Sequence, residues 1–144
     1  MSTLQVGTIK SSNSSPPVFQ NSSGTEKGRL IKKYINFDGT NTSTVRESFG
    51  ISSVTDNGTG HYQLNFDGSM SNDDYTCVGA GGHPGTLGGN NPERVTRFSD
   101  FATGTVQCRC RSATGGAADD NYMGAIIIGG LLYTTDAADE RVGV

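Results

Sequence analysis

The sequence predicts an all-β fold, an antiparallel β-sandwich of jelly-roll-like character with an extended N-terminal arm. Three observations carry that expectation. Apolar and polar residues alternate with period two along most of the chain. No stretch shows the apolar spacing of an amphipathic helix. Clusters of Gly, Asn and Asp interrupt the alternation at short intervals, as turns between short strands do.

Leu4, Val6 and Thr8 alternate with polar or small neighbours and read as a short N-terminal strand. Residues 10–28 are rich in Ser, Asn and Gly, which leaves them too little apolar surface for a core of their own. Pro16 and Pro17 stiffen this stretch by fixing two φ angles. Residues 1–28 are therefore expected to form a strand and an extended arm for docking, and residues 29–144 the sandwich domain.

Within that domain, Leu30–Phe37 sets Ile31, Ile35 and Phe37 on one face and Leu30 and Tyr34 on the other. Phe49–Val54 and His61–Phe66 flank Asn57-Gly58, a pair suited to the positive φ angles of a tight hairpin, so the two should pair antiparallel. Tyr62, Leu64 and Phe66 then face inward, with His61, Gln63 and Asn65 outward. Tyr75–Ala80 is a further strand, followed by a glycine-rich loop over 79–90. Val95–Phe101, Thr105–Arg111 and Met123–Tyr133 complete the set, with Val106, Cys108 and Cys110 sharing one face of theirs. Thr135–Arg141 could hold one helical turn. Two near-copies, Ile35–Thr40 and Leu64–Ser69, suggest strands that leave the core alike, Phe inward and Asp-Gly turning the chain.

Composition narrows the function classes. Gly, Ser, Thr and Asn make up 62 of the 144 residues, and only 33% are hydrophobic. With a net charge of −3, far from the high charge of a disordered chain, the expectation is an ordered but core-poor domain that buries apolar surface against copies of itself. The acidic balance offers no basic surface for a phosphate backbone, which speaks against nucleic acid as a partner. The apolar run Ile126–Tyr133 is too short for a bilayer span and contains Gly129 and Gly130, so no membrane insertion is expected. Nothing at the N-terminus resembles a Sec-type signal. Three cysteines cannot all pair within one chain, which fits synthesis in a reducing cytoplasm.

No catalytic set emerges. Serine nucleophiles lack a Gly-x-Ser-x-Gly turn, and the only histidines are His61, beside a hairpin, and His83, in a glycine-rich loop. The acidic residues sit in turns, where solvation keeps them ionised, unlike the paired carboxylates of a glycosidase. Cys77, Cys108, Cys110 and His83 make an S₃N set, yet Cys108-x-Cys110 has a strand's spacing rather than that of a zinc knuckle. The turn at residues 67–74 gathers oxygen ligands but lacks the glycine and glutamate of an EF-hand loop. The loop 79–89 matches no phosphate-binding pattern. No enzyme, no metal and no cofactor is expected. Recognition is instead expected at loop residues His83, Thr86, Asn90, Asn91, Asp119, Asp120 and Tyr122. Gly129-Gly130 suggests close backbone approach at an axis between subunits.

The ordered run Ile35-Asn-Phe-Asp-Gly-Thr40, Val45-Arg-Glu-Ser-Phe49, Ser52-Ser-Val-Thr-Asp-Asn-Gly-Thr-Gly60 and Tyr62-Gln-Leu-Asn-Phe66 resembles a module of tail-fibre and related virion proteins of marine bacteriophages, cyanophages especially. Met70 and Tyr75 continue its pattern, and Ser2–Ile9 and Pro16–Gly24 are similar to the leading ends of such proteins. Gly50, His61 and the Cys108/Cys110 pair depart from it. The resemblance implies a non-enzymatic virion component made in the host cytoplasm, in the tail rather than the capsid. It implies a homotrimer, bound to other virion proteins through residues 1–28 and to the host envelope, glycan or protein. A capsid decoration or tail adaptor of purely structural role is the alternative.

Overall fold

The fold is that of a computed structural model, which describes residues 7–10, 19–24, 26–28, 31–40, 43–82 and 94–130. The chain divides into two compact units, Met1–Leu30 and Ile31–Val144. In the first, β1 (Phe19–Gln20) pairs antiparallel with β2 (Glu26–Gly28). Asn21 closes the turn between them. Its side-chain oxygen accepts the Ser23 N–H at 3.1 Å, and its carbonyl accepts the Gly24 N–H at 3.0 Å. A segment expected to run extended thus carries a small hairpin. Leu4 and Val6 lie outside the described residues, and residues 7–10 form no strand.

The second unit holds β3 (Lys33–Phe37), β4 (Val45–Phe49), β5 (Ile51–Asp56), β6 (His61–Phe66), β7 (Tyr75–Gly82), β8 (Arg94–Ser99), β9 (Thr105–Ser112) and β10 (Tyr122–Gly129). They form two four-stranded sheets, ordered β4-β3-β10-β7 and β5-β6-β9-β8. Every pairing is antiparallel. The architecture is the expected all-β sandwich, without helix among the described residues.

Period two decides which side chains fill the gap between the sheets. Ile35, Phe37, Met123 and Ile127 come from the first sheet, and Tyr62, Leu64, Val106 and Cys108 from the second, each buried. Phe37 and Tyr62 meet edge to face across the gap, centroids 5.2 Å apart, and Phe66 meets Tyr75 likewise at 5.8 Å. Ile31, expected inward with Ile35, is 48% exposed, because the strand starts at Lys33. The two near-copies both end on a buried ring, Phe37 and Phe66, but then part: Gly68 turns at φ +78° toward β7 in the other sheet, whereas Gly39 has no positive φ and the chain goes on to β4 in the same sheet.

Two glycine regions differ from expectation. Gly79–Gly82 continue β7 rather than opening a loop. At Gly79, Thr96 and Phe98 of β8 already occupy the place of a side chain, each with an atom 2.7 Å from where a Cβ would stand. The close approach at Gly129-Gly130 is internal to the chain. A Cβ on Gly130 would lie 2.5 Å from Met70 Cε, and one on Gly129 3.2 Å from the Asp74 carbonyl. Thr135–Arg141 lies outside the described residues.

The chain passes between the two sheets four times, and the shortest passage is the single residue Gly50, between β4 and β5, at φ +70°. Lys33 holds this corner. Its buried ammonium donates to the carbonyls of Gly50 (3.0 Å), Gly68 (3.1 Å) and Asp67 (3.3 Å), and sits 4.9 Å from the Phe66 ring centroid. All three N–H donors are thereby used, and among the described residues no carboxylate pairs with them. Burial pulls the Lys33 pKa below its ordinary value, partly offset by the nearby Asp67 charge.

Lys33→Met keeps the stem and removes three hydrogen bonds, although the Gly50 carbonyl still accepts the Asp67 N–H at 2.9 Å, so it should cost about 1–3 kcal/mol in urea unfolding. An unchanged or raised stability would contradict the role given to Lys33.

The pH dependence has a definite sign. Burial pushes the thiols of Cys77 and Cys108 from 9.0 up to about 12, and the phenol of Tyr75 from 10.0 up to about 12. Cys110 and Tyr62 move the same way. Between the ordinary and the raised values the unfolded chain holds fewer protons than the folded one, so stability falls as pH rises from 9.0 to about 12. Lys33 opposes this, since a lowered amine pKa makes stability rise with pH, but it is one group against several. Under reducing conditions the urea midpoint should therefore drop between about pH 8 and about pH 11. A midpoint that holds or climbs would refute this sum.

Candidate binding surfaces

The sequence-predicted site residues separate into three groups. His83, Thr86, Asn90 and Asn91 lie outside the described residues. Asp119 and Asp120 turn inward and hold the fold. The Asp119 carboxylate accepts the Gly60 N–H at 2.6 Å and lies 2.7 Å from the Tyr62 hydroxyl, which is also 2.7 Å from the Gly39 carbonyl. Asp120 is buried, takes the Gly39 N–H on its own carbonyl at 2.8 Å, and faces Arg94 at 3.6 Å. The two acids thus tie the approach to β10 onto the ends of β3 and β6, and a ligand could reach them only by displacing these bonds.

Tyr122 is the outward member. Its ring carries the Arg46 guanidinium 4.2 Å from the centroid. Arg46 also pairs with Asp38 at 2.9 Å and donates to the Asn121 carbonyl. Asp38 in turn accepts the N–H and hydroxyl of Thr40 at 2.9 and 2.6 Å, and these bonds, with Arg46, lower its pKa. Tyr122 is therefore a preset aromatic surface at one end of the first sheet.

The broader surface is the outward face of β4-β3-β10-β7. The register aligns Phe49, Tyr34, Ile126 and Val78 in one row across all four strands. Phe49 is 58% exposed, Val78 60% and Ile126 39%, and Tyr34 stacks on Phe49 at 6.2 Å. The next row is Glu47, Asn36, Gly124 and Ala80. Small residues in that row, beside large ones in the first, leave a groove of about 390 Å³. Tyr34 donates to Glu47 at 2.9 Å along its rim. Asn36 Oδ1 is buried there without a hydrogen-bond partner among the described residues. The sequence contains one signal of this surface. Ala125–Ile128 is apolar without alternation, so a strand running through it must show apolar side chains on both faces.

No protein-family model matches the sequence, and no curated protein matches it. Among solved structures, the chain is similar to the tailspike phiAB6, in a crystal structure of that protein in complex with three-repeated oligosaccharides of Acinetobacter baumannii surface polysaccharide. The likeness has a TM-score of 0.50 at 14% sequence identity, and covers 87% of this chain and 30% of that one. The chain thus spans about a third of the length of the tailspike it resembles, and the similarity is one of fold.

Proposed function

We propose that this chain is a bacteriophage virion protein, a component of a tail fibre or tail tip, that assembles as a homotrimer through the outward face of β4-β3-β10-β7 and contacts the host surface. The observation that carries the reading is the apolar row Phe49, Tyr34, Ile126 and Val78 beside a groove that nothing in the described chain fills. A contiguous apolar surface of this kind is costly in water, and copies of the same chain are the partners always present. The fold's likeness to a phage tailspike supports a place in the tail, and so does the resemblance of residues 35–66 to tail-fibre modules. That tailspike was crystallised with oligosaccharides of a bacterial surface polysaccharide, and the proposal gives this chain a host-surface ligand of its own.

In this reading the role is non-enzymatic. Residues 1–28 dock onto neighbouring virion proteins, and Tyr122 stands with His83, Thr86, Asn90 and Asn91 as a candidate host contact.

The purified chain should sediment at three times its 15.1 kDa. Ile126→Lys and Val78→Lys, on outward positions that leave the core untouched, should each shift it to the monomer mass with an unchanged circular dichroism spectrum. A monomeric wild-type chain, or lysine variants that keep the wild-type mass, would refute assembly through this face.

A further inference from the structure

The outward face of the other sheet, β5-β6-β9-β8, has the opposite chemistry. Across it, the register sets Thr55, Gln63, Gln107 and Ser99 in one row and His61, Arg109 and Arg97 in the next. A third row adds Ser53, Asn65 and Thr105. No acidic residue stands in these rows.

The polar side chains form one directed chain of hydrogen bonds. Gln107 donates to Gln63 Oε1 (2.8 Å), Gln63 to Asn65 Oδ1 (2.7 Å), and Asn65 to the hydroxyls of Thr55 (2.9 Å) and Ser53 (3.0 Å). With its amide nitrogen committed to Gln63, Gln107 must present Oε1 to His61, 2.9 Å away, so the hydrogen sits on His61 Nε2. Asn57 donates to the same oxygen at 3.4 Å. Each amide is thus fixed in direction; Gln63 and Gln107 each keep a second N–H, and Gln63 and Asn65 each keep a lone pair, for another partner.

Arg97 and Arg109 are directly opposed cross-strand neighbours. Like charges at such a position repel. Among the described residues neither arginine side chain has an ion pair or a hydrogen bond, although the chain as a whole is acidic. A repulsive pair without an acid, bordering an oriented row of amides, is a local cost that a bound anion relieves.

We infer that this face binds an acidic oligosaccharide, with a sugar carboxylate between Arg97 and Arg109 and neighbouring hydroxyls on the Gln107–Gln63–Asn65 row. The strand spacing of about 4.8 Å is close to the length of one pyranose ring, so successive strands present donors and acceptors at the step of a sugar chain. The amides need no rearrangement to bind, which lowers the entropic cost. The inference deepens the host-contact part of the proposed function and rests on it, while using a different face from the assembly.

The test is titration calorimetry of the full chain with oligogalacturonate, with oligosialate, and with a neutral malto-oligosaccharide of equal length. At least one acidic oligomer should bind at least tenfold more tightly than the neutral one, and more weakly as salt is raised. Arg97→Gln with Arg109→Gln should lower that affinity at least tenfold, and Gln107→Leu should lower it with the circular dichroism spectrum unchanged. The inference is overturned if neither acidic oligomer binds, or if the neutral one binds as well. Monomeric galacturonate or single-stranded DNA binding as tightly would overturn it too, as would unaltered binding by the arginine variants. A trimer that binds no acidic sugar would defeat this inference alone, and a monomer that binds one would defeat the assembly alone.

Discussion

A single amine holds the tightest of the four places where the chain passes between the two sheets. Lys33 sits on β3 in the first sheet, yet its three hydrogen bonds go to the Gly50 corner and to the Asp67-Gly68 exit from β6. The Gly50 carbonyl also accepts the Asp67 N–H at 2.9 Å, and Lys33 adds a donor to it and to the Asp67 and Gly68 carbonyls just beyond the end of β6. A neutral residue could not donate three times, and a carboxylate could not donate at all. The buried charge carries a desolvation cost, visible in the lowered pKa, and the Phe66 ring and three carbonyl dipoles offset it. With that corner held, the sheets lie back to back and their outward faces are set on opposite sides of one core.

Those two faces differ in chemistry. Hydrophobic residues make up only 33% of the chain, and among the described residues not all of them point inward. Ile126 and Val78 project from the outward side of strands whose other side already packs the interior. On the second sheet, the outward positions of β6 and β9 carry amides, an imidazole and arginine. One face is suited to burial against copies, and the other to staying wet and engaging polar ligands.

Much of this was legible in the sequence. Alternation in His61–Phe66 and Thr105–Arg111 gave the inward residues Tyr62, Leu64, Phe66, Val106, Cys108 and Cys110, because one wet and one dry face forces period two. The Asn57-Gly58 turn gave the β5–β6 hairpin. What was not legible depends on residues far apart in the chain. Gly79–Gly82 looked like loop because composition cannot show that Thr96 and Phe98 fill the space a side chain would take. Asp119 and Asp120 looked like exposed loop acids, since polarity alone does not reveal that Gly39, Gly60 and Tyr62 wait for them. The row from His61 to Thr55 needs the register of three strands, and only pairing brings Arg97 opposite Arg109.

Cryo-electron microscopy of whole virions that carry the chain tests the division between the faces most directly. The account predicts density for three copies in the tail, with Ile126 and Val78 buried between subunits and Arg97 and Arg109 facing outward. A lone copy, or an assembly whose β4-β3-β10-β7 face is left bare to solvent, would contradict it.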